Sequence, residues 1–275
     1  MKIFQVRRRG PTRSALNVLL WWVVVSRSVH AMLWLLYRLR CSGASHVPRR
    51  GAIVFVSNHQ SHWDPPIVGC LVGDRPFRAM ARSSLFGFKP FGWVIGQIGA
   101  IPLRRGEPDA AAIRAAIAEL RSGGCALVFP EGSRTRDGAL RKFHSGVLVL
   151  VRRSGAVTVP VAIEGAHDVW PHGRTYPKLR GRIRVKAGKA IPAADLLAGS
   201  PQEALDRLKQ VIETMRLELR AELRQASGGR YPAPGPGDGE SAAEEADAVT
   251  PAPAGPQLAS PSGDETRRGS SATCR

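Results

Sequence analysis

Hydrophobic and polar positions divide this chain into three stretches of different character. From Ala15 the sequence "ALNVLLWWVVV" is almost wholly apolar, "SRSVH" (26–30) interrupts it, and "AMLWLLYRL" (31–39) resumes. An uninterrupted apolar span of about 20 residues is needed to cross a bilayer comfortably, and Arg27 stands in the middle of this one. The pattern predicts two short helices lying in one leaflet, with Trp21, Trp22 and Trp34 suited to the interfacial zone. A tilted transmembrane helix and a cleaved signal peptide are the competing readings, although no small-x-small cleavage site is evident.

The second stretch alternates. "AIVFVSN" (52–58) reads as a buried strand, and "PPIVGCLVG" (65–73) as the helix after it, with proline in its first turn. "PFRAMA" (76–81), "CALVFP" (125–130), "VTVPVAI" (157–163) and "RIRVKAGKAI" (182–191) read as further strands. "DAAAIRAAIAELRSGG" (109–124) places Ile113, Ile117 and Leu120 on one helical stripe, between an acidic start and a Gly-Gly stop. Ser200, Pro201 and Glu203 form a cap, a first-turn proline and a capping-box partner ahead of Leu205, Leu208, Ile212, Met215, Leu219 and Leu223. Strands alternating with helices predict an α/β fold, with a mixed central sheet flanked by helices. Beyond about Ser227 the chain is Pro, Gly, Ala, Ser and acids without an apolar period, and disorder is the expectation. The predicted organisation is therefore 1–42 as basic N-terminus and membrane helices, 43–226 as the main domain, and 227–275 as a tail.

Charge sharpens this division. The chain of 275 residues carries a formal net charge of +18. Up to Ser227 there are 36 Lys/Arg against 15 Asp/Glu, and after it 4 against 7. The main domain is strongly basic and calls for an anionic partner, which composition alone leaves open between nucleic acid, a membrane face and a phosphorylated substrate. The four cysteines form no C-x-x-C pair, which fits a reduced compartment without a structural metal.

Candidate chemistry sits at the predicted strand ends. In "VSNHQSHWDPP" (56–66), His59 leaves the strand and Asp64 precedes Pro65. A strand-to-helix turn can bring the two together, giving an imidazole with a carboxylate to fix its tautomer: the base half of a catalytic triad without the serine. Asp64 taken alone reads equally as an ordinary helix N-cap. His59, His62 and Asp64 lack the second ligand cluster that would complete a metal site, so no metal is expected. In "VFPEGSRTRDG" (128–138), a turn presents Glu131, Gly132, Ser133, Arg134 and Arg136, with glycine letting backbone amides approach a ligand and arginines offering forked donors to phosphate. "GAIPLRRG" (99–106) ends an apolar segment on Arg104 and Arg105.

The order "NHQSHWD", "GAIPLRR", "FPEGSR", "VPVAIEG" closely resembles the four blocks of the glycerolipid acyltransferase family, typified by 1-acylglycerol-3-phosphate acyltransferases. The likeness runs from about Ala52 to Gly188. It implies a monotopic membrane enzyme with a helix pair in the leaflet. His59 would be the general base for an acceptor hydroxyl, and Asp64 its orienting partner. Arg105, Glu131, Gly132, Ser133 and Arg134 would fall at acceptor-binding positions. The hydroxyl would attack an acyl thioester directly, so acyl-CoA or acyl carrier protein is the co-substrate and no further cofactor is implied. The expected product is phosphatidic acid made from a lysophospholipid at the cytoplasmic face of a membrane. Four departures bear on the headgroup: Ser133 for the usual Thr, Pro102-Leu103-Arg104 for the commoner Phe-Ile-Asp, Arg82 where many relatives carry lysine, and His144 and Ser145 where lysines are frequent. The rival readings are the same chemistry on glycerol-3-phosphate, a lyso-aminolipid or a glycolipid, and a non-catalytic basic module binding membranes or nucleic acid.

Overall fold

The computed structural model describes residues 15–73, 75–82, 101–103 and 110–239. The strands are β1 (Arg40–Ser42), β2 (Ile53–Ser57), β3 (Phe77–Arg82), β4 (Ile101–Leu103), β5 (Cys125–Val128), β6 (Val157–Glu164) and β7 (Arg184–Ala187). They form one seven-stranded sheet in the order β1-β7-β6-β2-β5-β3-β4. The run from β6 to β4 is parallel, β7 is antiparallel to β6, and β1 is parallel to β7. The mixed α/β sheet expected from the alternating pattern is present.

Among the described residues, seven helices accompany the strands: α1 (Ala15–Tyr37), α2 (Asp64–Val72), α3 (Ala110–Arg121), α4 (Gly146–Ser154), α5 (Ala166–Val169), α6 (Ala193–Leu196) and α7 (Pro201–Ala226). Every residue of β2 is buried, and the period-two alternation of a strand sends its side chains to two different cores. Ile53 and Phe55 join Leu33, Tyr37, Ile67 and Leu71 from α1 and α2. Val54 and Val56 join Ala116 and Leu120 of α3, Leu148 and Val151 of α4, and Leu208 and Ile212 of α7. The capping box of α7 forms as its sequence predicts: the Glu203 N–H donates to Ser200 Oγ at 3.2 Å, and the Ser200 N–H donates to Glu203 Oε2 at 3.0 Å.

One expectation is corrected. The apolar N-terminal segment is one continuous helix, not a pair, because "SRSVH" contains neither Gly nor Pro and a polar residue alone does not end a helix. Arg27 and Ser28 simply occupy exposed positions on it. No helix among the described residues is long and apolar enough to cross a membrane. β1, which ends at the expected boundary of 42, pairs with β7, and Leu33, Tyr37 and Leu39 ahead of it belong to the core. At the other end, packing continues past 226 to residue 239. There Asp238 is ion-paired to Arg220 and Arg224, interactions that a reading of apolar periodicity does not register.

Candidate active site

The parallel strands place their carboxyl ends on one edge of the sheet, where ligands of α/β folds gather. β2 leads into His59, β5 into the 129–138 loop, and β6 into Glu164 and Gly165. Since β2 lies between β5 and β6, these three segments are neighbours by topology.

After β2 the chain turns sharply. Asn58 locks the turn's start, its amide donating to the Ile163 carbonyl at 2.9 Å while its Oδ1 accepts the Ile163 N–H at 2.8 Å. Asp64 organises the rest of the turn. Its Oδ2 accepts from the Gln60 N–H at 2.6 Å, the Ser61 N–H at 2.7 Å and His59 Nδ1 at 2.7 Å. Asp64 is completely buried, whereas the His59 side chain is 20% exposed. The expected N-cap role is corrected: Asp64 is the first helical residue, Trp63 holds the N-cap position without a side-chain bond, and the carboxylate caps the preceding turn instead. Nδ1 is thereby committed to the carboxylate, which leaves Nε2 as the atom that can accept a proton. The ring stacks on Phe129, centroids 4.1 Å apart and planes 16° from parallel, so its orientation is fixed from a second direction.

The loop after β5 is laced to this turn. The His59 N–H donates to Glu131 Oε1 at 2.7 Å, the Arg141 N–H donates to Oε2 at 3.2 Å, and the His59 carbonyl accepts the Thr135 N–H at 2.8 Å. Glu131 is buried, and burial pushes its carboxyl up to about 8; the two N–H bonds and the Arg141 charge oppose that rise. With each oxygen engaged by a backbone donor, Glu131 ties the His59 turn to the loop. Gly132 turns with φ +67°, a left-handed conformation that favours glycine, and a Cβ there would stand 3.4 Å from the His144 ring. Ser133 Oγ accepts from the Arg141 guanidinium. Arg134 is half-buried on the same loop, and Arg136 and Lys142 are exposed beside it.

The structure thus brings His59, Asp64, Glu131, Gly132, Ser133 and Arg134 to one edge of the sheet. Arg82 is the last residue of β3, described by its backbone position, and Arg105 lies outside the described residues. His62 packs edge-on to Trp170 with ring centroids 5.0 Å apart. No group of His, Cys, Asp and Glu among the described residues could hold a metal ion. Sequence reasoning missed Phe129, Thr135 and Arg141. Each acts through a contact across the sheet edge, and only Arg141 carries a signal, as another cation three residues beyond the Asp137-Gly138 turn.

Comparison with known proteins gives concordant results. A family model described as "Acyltransferase" matches residues 38–164. The chloroplastic 1-acyl-sn-glycerol-3-phosphate acyltransferase LPAT1 of Arabidopsis thaliana is 28% identical over 174 residues, 62% of this chain and 48% of that protein. The lyso-ornithine lipid O-acyltransferase of Pseudomonas aeruginosa is 29% identical over 189 residues, 62% of this chain and 71% of that protein. The chain spans about half the length of the first curated relatives it matches. Among solved structures, the crystal structure of the 1-acyl-sn-glycerophosphate (LPA) acyltransferase PlsC from Thermotoga maritima superposes with a TM-score of 0.63 at 26% identity, covering 72% of this chain and 80% of that one.

Proposed function

We propose that the chain, whose residues 38–164 match a family model described as "Acyltransferase", transfers a fatty acyl group from acyl-CoA or acyl carrier protein to the free hydroxyl of 1-acylglycerol-3-phosphate, giving phosphatidic acid. The observation that carries this reading is the buried Asp64 holding His59 Nδ1 at 2.7 Å, beside a loop of arginines. His59 Nε2 takes the proton of the acceptor hydroxyl as its oxygen attacks the thioester carbonyl. The C–S bond breaks, and the imidazolium returns the proton to the departing thiolate. Asp64 stabilises the imidazolium between these two transfers. Arg134, Arg136 and the neighbouring Lys142 supply positive charge for the acceptor phosphate, with Arg82 and Arg105 proposed to complete that site. No covalent acyl-enzyme forms in this scheme, so no nucleophilic serine or cysteine is needed.

The test is direct. Protein purified in detergent, given acyl-CoA and lysophosphatidic acid, is expected to release free thiol and phosphatidic acid, and His59→Ala is expected to lose about a hundred- to ten-thousandfold in rate. Equal rates for the two proteins would sink the reading. A lyso-aminolipid acceptor is the second reading, motivated by the similarity to the Pseudomonas lyso-ornithine lipid enzyme. In a panel of acceptors analysed by mass spectrometry, the larger product signal separates the two.

The same proposal puts the protein on the cytoplasmic face of an anionic membrane. Trp34 and Leu35 of α1 are 63% and 72% exposed, and Tyr176 and Leu179 are 76% and 77% exposed. The two pairs lie on adjoining segments, since the Gly181 N–H donates to the Leu36 carbonyl at 3.3 Å. Exposed Arg38, Arg174, Lys178 and Arg180 rim them, a combination suited to anionic headgroups. Leu35→Asp combined with Leu179→Asp is expected to release the protein from sedimenting anionic vesicles; undiminished sedimentation would remove this part of the reading.

A further inference from the structure

A second buried polar cluster lies behind the base. Glu164 closes β6 at 1% exposure, where its Oε1 accepts from Arg220 at 2.5 Å and its Oε2 from Arg216 at 3.1 Å. The two arginines stand one helical turn apart on α7. Arg216, fully buried, also donates to Glu213 at 2.6 Å and to the Gly237 carbonyl at 2.7 Å. Arg220 also donates to Asp238 at 2.7 Å and to the Ala233 carbonyl at 2.9 Å. The segment 231–238 is thus strapped along α7, and the Tyr231 hydroxyl reaches the Gly165 carbonyl at 3.1 Å. Burial raises the Glu164 carboxyl above its ordinary value, opposed by the charges of Arg216 and Arg220; burial acts to lower both guanidiniums, and hydrogen bonds and charges from their carboxylate partners outweigh it.

One side chain joins this cluster to the reacting residues. Gln60, 1% exposed, donates through Nε2 to Glu164 Oε2 at 3.0 Å and accepts the His167 N–H on Oε1 at 3.3 Å. Its own N–H is the 2.6 Å donor to Asp64 Oδ2. A buried ion cluster is weak evidence for stability, because well-packed apolar residues can do as well, but it fixes one geometry where others would pack alike. Here the geometry fixed is that of the residue between His59 and the carboxylate that holds it.

We propose that Gln60 is a positioning residue for the His59–Asp64 pair, and that the Glu164–Arg216–Arg220 cluster, fastened by Asp238 of the 231–238 strap, holds it in place. This rests on the acyl-transfer reading for its kinetic consequence alone. Gln60→Ala leaves Glu164 with both guanidiniums and frees the turn. A misplacement of about 1 Å at a reacting group costs on the order of a hundredfold in rate.

The experiment uses the full chain and two readouts. Steady-state kinetics of Gln60→Ala are expected to show kcat reduced about ten- to a hundredfold with both KM values within about twofold. Proton NMR of the full chain is expected to show the hydrogen-bonded Nδ1 proton of His59 at low field, and to show it broadened or lost in Gln60→Ala while the amide spectrum elsewhere is retained. Asp238→Asn, at the solvent-facing end of the strap, is a gentler variant expected to lower kcat a few-fold and to shift the same resonance. Should Gln60→Ala fail to fold, Asp238→Asn decides alone. An unchanged resonance with unchanged kcat overturns the proposal. If the wild type transfers no acyl group, the functional reading fails separately, and the resonance still tests the positioning.

Discussion

The turn after β2 and the loop after β5 sit side by side and are built on opposite plans. In the turn, one oxygen of Asp64 gathers three donors from within five residues, so the pair that would move the proton is closed locally. In the loop, Glu131 gathers its donors from His59, 72 positions away, and from Arg141. Cations on that loop remain exposed to solvent, as Arg136 and Lys142 are. In the proposed scheme chemistry falls to a short, buried segment closed by local bonds, and recognition to one whose anchor is buried and whose charged tips are not. Substitutions in the turn should act on kcat, and substitutions at the loop's tips on KM.

Asp64→Asn tests the turn and carries the largest expected effect. The amide keeps the shape and can still accept an N–H, but it removes the charge that balances an imidazolium and can present a donor to Nδ1, favouring the wrong tautomer. The expected loss in kcat is about a hundredfold or more, with KM for the acceptor changed by less than about threefold. Steady-state rates across acceptor concentrations give both numbers. A loss confined to KM would erase the distinction between the two segments.

This division explains what could be read in the sequence. Local features were legible: the buried apolar run of β2, the amphipathic stripe of α3, the Ser200–Glu203 box, and the closeness of His59 and Asp64 across a strand-to-helix turn all depend on residues within a few positions of each other. Gly165, the last residue of "VPVAIEG", is explained only by the fold. Its φ is +87°, and a Cβ there would lie 2.1 Å from the Arg182 carbonyl oxygen, a contact set by β6 lying against β7. The bond by which Glu131 holds the His59 N–H was not legible, because it spans 72 positions. The same holds for the end of the domain: Arg216 and Arg220 border the apolar stripe of α7, but their partners Glu164 and Asp238 lie 52 and 18 positions from them. Periodicity reports which face is buried and is silent on which ions meet there.

Glu131→Gln probes the tie between the two segments and is expected to act on stability first. An amide offers one acceptor to two backbone donors, and a buried N–H left unmet costs about 1–3 kcal/mol. In a domain of this size that lowers Tm by about 2–12 °C. The pH dependence has a definite sign. Burial lifts the carboxyl from its ordinary 4.5 to about 8, above its value in the unfolded chain. The wild type therefore holds its full advantage from this group below about 4.5 and loses it as pH rises through about 8. Glutamine does not titrate, so the Tm gap between wild type and variant is expected to narrow from pH 5 to pH 9 in thermal unfolding. A gap that widened would mean the ionised form is the one the loop favours.

The smallest effect belongs to the loop's tip and decides whether the tip governs binding. Ser133 Oγ accepts from the Arg141 guanidinium, a charge-assisted bond at a half-buried site where water can replace the hydroxyl. Ser133→Ala removes that one bond at a site open to water, so the net cost stays near 0.5–1 kcal/mol, about two- to fivefold in an equilibrium constant. Since neither His59 nor Asp64 is bonded to Ser133, the change should appear in KM for the acceptor, with kcat held within about twofold. Ser133→Thr keeps the hydroxyl and is expected to match the wild type in both constants. If alanine lowered kcat as much as it raised KM, the loop would reach the reacting atoms through Arg141 and Glu131, and the boundary between the two segments would have to be drawn inside the loop, between Glu131 and Gly132.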